Sequence, residues 1–159
     1  MQRITVLCVG KLKEKFYADA AAEYIKRLSR YCKLDVVELP ETRLPEDPSP
    51  AEIQKALAAE ANAIRQKLEA GAVVAMCIEG KTCSSEALSK KLADFALEGK
   101  SRVTFLIGGS FGLDETLKKQ ADWRLSMSHM TFPHHLARVM LLEQIYRACQ
   151  IAEGTRYHK

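Results

Sequence analysis

Five short apolar runs, set off by glycines and prolines and separated by stretches of helical periodicity, leave this chain few folds to adopt. The runs are Ile4 to Val9, Leu34 to Leu39, Ala72 to Ile78, Val103 to Ile107 and Trp123 to Met127, each of strand length. Between them, Tyr17, Ala21, Tyr24 and Leu28 share one helical face, and Ile53, Leu57, Ala61, Ile64 and Leu68 share another. Leu88, Leu92 and Phe95 do the same in a third. The second helix is marked at both ends. Ser49-Pro50-Ala51-Glu52 is a capping box with proline at the first helical position, and Gly71 lies just past the far end. Strands alternating with helices predict an α/β fold, a mostly parallel sheet covered by helices on both faces, because strands buried on both sides need not alternate apolar with polar residues.

The 159 residues, 47% of them hydrophobic, read as one domain that buries about two-thirds of its unfolded surface. Four of the five prolines (Pro40, Pro45, Pro48, Pro50) fall in one loop with Glu41, Glu46 and Asp47, the composition of an exposed connection inside a domain. The longest apolar run, Ala70 to Ile78, is far short of the roughly 20 residues that span a bilayer. Met1-Gln2-Arg3 leads directly into the first strand, with neither a signal h-region nor a cleavage site. Cys8, Cys32, Cys77, Cys83 and Cys149 have no metal-ligand spacing and are odd in number, so reduced thiols, no metal and a cytoplasmic location are expected. A net charge of +4 permits a nucleic-acid partner without requiring one.

The fourth run leads into Gly108-Gly109-Ser110-Phe111-Gly112, with Leu113-Asp114 opening a short helix to about Gln120. In open α/β sheets ligands bind outside the carboxyl ends of the strands, and glycines there let backbone approach them closely. A tight turn without a ligand accounts for the same residues. The glycines do not match the G-x-G-x-x-G of dinucleotide-binding folds, and no lysine lies between Lys100 and Lys118 to complete a P-loop. A glycine loop without basic residues suits a ligand without phosphates, of which S-adenosylmethionine is the commonest nucleoside.

The C-terminal third of the chain is more specific. Leu125-Ser126-Met127-Ser128-His129-Met130-Thr131-Phe132-Pro133-His134 leads to a helix from about Leu136 to Glu153 that carries Arg138-Val139 and Glu143-Gln144-x-Tyr146-Arg147-Ala148, and the chain closes on Tyr157-His158-Lys159. With Val6 to Lys11 and Ile78-Glu79-Gly80-Lys81, these motifs closely resemble the SPOUT-class RlmH family, which methylates N3 of a pseudouridine in large-subunit ribosomal RNA. The likeness spans the whole chain. It implies a C-terminal trefoil knot, an exception to the rule against threaded chains, a homodimer, and S-adenosylmethionine bound by Met76, Gly108, Met127, Ser128, His129, Met130, Thr131 and Phe132. Leu125, Met127, Met130 and Phe132 are chemically suited to an apolar slot for adenine, although Leu125 reads better as an ordinary core residue at a strand end.

N3 of pseudouridine carries a proton that must leave as the methyl group arrives, so the site needs alignment and a base or a cation. His158 and Arg138 are the catalytic candidates; His134, Arg147, Arg156 and Tyr157 are candidates for substrate binding, and His135 is a further candidate for the base or cation. Arg138 and Arg147 stand nine residues apart, about 180° around an ideal helix, so they cannot serve one cleft of the same subunit. The helix between them is apolar nearly all round, which implies burial from more than one side. Lys11, Lys13 and Lys15, beside Phe16 and Tyr17, are candidates for RNA phosphates or simply a solvated helix start. With no separate RNA-binding domain, the chain is expected to recognise an assembled ribosome. Two rival readings are a non-catalytic RNA-binding protein of the same fold and a nicotinamide-dependent enzyme.

Overall fold

A computed structural model describes residues 1–159. The chain runs β1 (Arg3–Val9), α1 (Lys15–Leu28), β2 (Lys33–Leu39), α2 (Pro50–Lys67), β3 (Ala72–Lys81), α3 (Ser85–Leu97), β4 (Arg102–Ile107), α4 (Glu115–Gln120), β5 (Trp123–Leu125) and α5 (His134–Ala152). The strands form a single sheet in the order β2-β1-β4-β3-β5, and every neighbouring pair is parallel. No helix is long and apolar enough to cross a membrane.

The period of two along a strand divides the core between the two faces. Ile4, Val6 and Cys8 of β1, with Val103, Phe105 and Ile107 of β4, pack under α1, α3 and α5. Leu7 and Val9, with Leu106, lie under α2 and α4. The central strands are therefore buried on both sides, which is why their sequences lack alternation. At α2 the Ser49 hydroxyl accepts the Glu52 amide and the Glu52 carboxylate accepts the Ser49 amide, each at 3.1 Å, closing the capping box the sequence predicts.

Three boundaries differ from expectation. The third strand continues to Lys81 rather than stopping at Ile78, because Met76 and Lys81 both register against Leu125 and Cys77 to Gly80 bulge out between them. The fifth strand stops at Leu125, not Met127. There the Ser126 amide donates to the Lys81 carbonyl at 3.0 Å and its hydroxyl donates to the Ser128 carbonyl at 2.8 Å, turning the chain away from the sheet. The last helix starts at His134, directly after Pro133, whose ring holds φ near the helical value and suits a helix entry.

Leu141, Leu142, Ile145 and Ala148 of α5 are buried against the sheet, and α1 and α3 flank the helix. Leu136 and Met140 are left half-buried. Arg138 is 3% exposed: one guanidinium nitrogen donates to Glu38 Oε2 at 2.6 Å, another to the Gly10 carbonyl at 3.0 Å. This clamp fastens the start of α5 to the ends of β1 and β2. Arg138→Ala would leave a partly buried carboxylate and a carbonyl unpaired, at a cost of about 3 kcal/mol. Urea unfolding should show a lower midpoint with an unchanged slope; an unchanged midpoint would mean that the pair contributes nothing.

Candidate functional site

With all strands parallel, the carboxyl ends of β3, β4 and β5 open on one edge of the sheet, where an open α/β fold binds its ligands. A cleft of about 650 Å³ lies there, within the size range of small-molecule sites. Three backbone excursions wall it: the bulged residues Cys77, Ile78 and Glu79, the glycine loop after β4, and Ser126 to Pro133 after β5.

The glycine loop is built by close backbone approach. A Cβ on Gly108 would lie 2.3 Å from the Gly112 carbonyl carbon and oxygen, so only glycine permits this turn. From outside, the proline loop grips it. Glu41 Oε1 accepts the Ser110 amide at 2.8 Å and lies so close to Gly109 that a Cβ there would be 2.5 Å away. Glu60 holds the proline loop in turn by accepting the Thr42 amide at 2.8 Å, and burial raises its carboxyl pKa above the ordinary value. After β5, Ser128 Oγ accepts the Met130 amide at 3.0 Å, which shapes the third wall.

The chemistry of the walls selects a ligand class. Ile78 and Phe111 are each 48% exposed and Met130 is 73% exposed. All three line this cleft, and the remaining large exposed apolar residues are only Met1, Phe16 and Leu97. Apolar side chains gathered at the mouth of a cleft suit a flat heterocycle. A phosphate is poorly served. The α4 N-terminus, which would attract one, is occupied by its own cap: Asp114 is buried, accepts the Thr116 amide at 2.8 Å and receives Gln54 Nε2 at 3.1 Å. The Thr116 hydroxyl bond holds the Asp114 carboxyl below the ordinary pKa, so it remains anionic. Lys118, the cation of the cleft, is already paired with Glu79 at 2.5 Å and Glu115 at 2.9 Å. This arrangement disfavours a dinucleotide with its diphosphate.

Two reactive side chains also line the cleft. Burial, with Glu79 nearby, raises the Cys77 pKa, so the thiol stays protonated and is a poor nucleophile. Burial, and then the neighbouring His135, lower the His134 pKa. Its Nε2 is buried without a partner.

Of the residues singled out in the sequence, Met76, Gly108, Met127, Ser128, Met130, Thr131, Phe132 and His134 come together around this cleft. His129 is exposed and outside its lining. Arg138 is committed to Glu38 and Gly10. Arg147, Arg156, Tyr157 and His158 lie elsewhere on the molecule, outside the lining of this cleft. The Arg147 guanidinium pairs with Glu143 at 2.5 Å and sits 4.9 Å from the Tyr157 ring centre, while His158 Nε2 meets Glu86 at 2.5 Å. Arg156 is exposed. Sequence patterns assigned no site role to Ile78, Glu79, Lys118 or Glu41, although the first two belong to a motif shared with the family. The bulge that turns the first two inward has no signature in a run of strand-like residues. The acidic proline loop is visible in the sequence, but the target of Glu41 lies 69 residues away.

The cleft at the carboxyl edge of the parallel sheet is poorly suited to a phosphate and open to a nucleoside, and a family model described as "Predicted SPOUT methyltransferase" matches residues 2–158. The chain belongs to that family. It is 49% identical over 158 residues to the ribosomal RNA large subunit methyltransferase H of Bifidobacterium adolescentis and 46% identical over 158 residues to that of Acetivibrio thermocellus. Each alignment covers 99% of both chains. Among solved structures, "Probable Methyltransferase from Bordetella pertussis Tohama I" superposes with a TM-score of 0.59 at 13% identity, over 93% of this chain and 95% of that one, a likeness of fold.

The lowered His134 pKa makes a prediction. Its unfolded value is the higher one, so the unfolded chain takes up a proton first, and stability falls as pH drops from the ordinary value through the folded one. Thermal midpoints measured between about pH 5 and 7 should decline toward acid, and His134→Gln should flatten that decline. An unchanged curve would contradict the burial effect.

Proposed function

We propose that this protein is an S-adenosylmethionine-dependent methyltransferase of the cytoplasm that modifies N3 of a pseudouridine in large-subunit ribosomal RNA, acting as a homodimer on assembled ribosomes. The cleft carries the reading: apolar walls for an adenine, backbone groups of the glycine and Ser126 to Pro133 loops for its edge, and no free cation or helix terminus for a phosphate. The names of the full-length relatives support the ribosomal RNA substrate. Met76, Gly108 and the segment Met127 to Phe132, including the outlying His129, are the residues proposed to hold the cofactor.

Bound S-adenosylmethionine supplies an electrophilic methyl group on its sulfonium sulfur. The protein must then present N3 in line and accept its proton. His134, neutral at physiological pH because its pKa is lowered, lines the cleft and is suited to hydrogen-bond the incoming base. The protonated Cys77 thiol offers no thiolate for an adduct at a ring carbon, which favours methylation at nitrogen, where no enzyme nucleophile is needed. His158, Tyr157, Arg156 and Arg147 do not reach this cleft in their own subunit. A partner packed on the half-buried Leu136 and Met140 of α5 offers another route: the partner subunit's His158 would enter this cleft and take the N3 proton. The knot belongs to the same family reading, and the strand order, with β5 placed beyond β3, is compatible with it.

Labelled methyl transfer to ribosomes, followed by mass mapping of the RNA, tests the activity. Transfer should place one methyl on a large-subunit pseudouridine and proceed at least about tenfold faster on ribosomes than on naked RNA. Gly108→Val, which drives a side chain into Gly112, should abolish transfer and S-adenosylmethionine binding by calorimetry while circular dichroism is retained. Retained transfer in that variant would refute the cofactor assignment, and equal rates on naked RNA would refute ribosome recognition. Light scattering at micromolar concentration should give the mass of two chains; the mass of one would overturn the dimer.

A further inference from the structure

A second cleft, of about 970 Å³, adjoins the first and shares Ser110, Phe111 and His134 with it. It lies over the ends of β1 and β2, and the proline loop forms its far wall. Its charges are unevenly committed. Glu38 is paired with Arg138, Glu41 accepts the Ser110 amide and Glu60 accepts the Thr42 amide. Only Glu46 among its carboxylates has no partner in the protein. Lys11, Lys13 and Arg43, by contrast, all line the cleft, are exposed and form no ion pair. The cleft therefore presents three free cations against one free carboxylate.

At its border with the cofactor cleft stands Phe111, an aromatic ring 48% exposed on the outer turn of the glycine loop. Opposite chemistry comes from His134, whose ring packs edge-on against His135 with centroids 4.1 Å apart and whose Nε2 has no protein partner. An exposed aromatic ring beside unpaired cations is how proteins hold an unstacked base and the phosphates that flank it.

We propose that this second cleft is the target-nucleotide subsite: the extruded base stacks on Phe111 beside His134, and Lys11, Lys13 and Arg43 hold the phosphates of the adjoining RNA. The assignment rests on the methyltransferase reading of the first cleft and deepens it. The shared border is what gives the base access to the methyl group, because Phe111 and His134 belong to both cavities. Phosphate contacts would position the strand without reading its sequence.

The test separates RNA binding from cofactor binding. Co-sedimentation with large ribosomal subunits over a series of salt concentrations, without S-adenosylmethionine, measures the phosphate contacts directly. The triple variant Lys11→Ala, Lys13→Ala, Arg43→Ala should lower the slope of log affinity against log salt by about 2 to 3, with S-adenosylmethionine affinity within about twofold of the parent. Lys90→Ala, with Lys90 on α3, should leave the slope unchanged. Phe111→Ala should lower kcat/KM for ribosomes about tenfold or more at saturating cofactor, and Phe111→Trp should restore most of it. An unchanged slope in the triple variant, or full activity in Phe111→Ala, overturns the subsite. Failure of the parent protein to bind S-adenosylmethionine or transfer methyl would instead remove the enzymatic reading, and the salt slope would still decide whether this cleft binds RNA.

Discussion

Every strand of this sheet runs in the same direction, and that constraint places everything else. Parallel strands must return by crossovers, so helices cover both faces, the strands are buried on both sides, and all carboxyl ends open on one edge. Loops from distant parts of the chain therefore converge: the bulge near residue 78, the glycine loop near 110 and the turn near 130 wall one cleft. The proline loop near 41 braces the second of these through Glu41.

The site is made mostly of backbone geometry, with side chains supplying exclusion. Gly108 and Gly112 fold onto each other too closely for any Cβ at residue 108, and Ser126 and Ser128 spend their hydroxyls on local turns. Ionic groups near the cleft are mostly satisfied internally, as Asp114 is by the α4 amides and Lys118 by two glutamates. What remains available to a ligand is apolar surface and main-chain polarity, which suits a nucleoside and not a nucleotide. The adjoining cleft has the complementary character, with three cations left free and all its carboxylates but Glu46 engaged.

Arg138 illustrates how a charged residue in a family motif can be structural. Its two terminal guanidinium nitrogens are engaged by Glu38 and the Gly10 carbonyl, and that clamp fixes the start of α5, hence Pro133 and the turn that precedes it. The C-terminal residues form a separate cluster on α5 and α3, where Tyr157 packs between Tyr146 and the Arg147 guanidinium. Helical spacing alone implies that Arg138 and Arg147 point apart; the structure adds that neither lines the cleft.

The layered parallel fold was legible in the sequence, because the apolar runs, the helical faces and the capping box at Ser49 are local patterns with local causes. The glycine loop and most of the Met127 to Phe132 segment were legible as walls of one cleft, His129 excepted, since close backbone approach requires glycine and the motif order is specific. Tertiary structure alone decided the rest. Whether Cys77 to Gly80 continue a strand or bulge into a cleft depends on the register against Leu125, and a register is a relation between segments distant in the chain, which no window of sequence contains. The pairings of Glu41 with Ser110 and Arg138 with Glu38 are likewise long-range, bridging 69 and 100 residues. They determine which charges are spent inside the protein and which are left for a ligand.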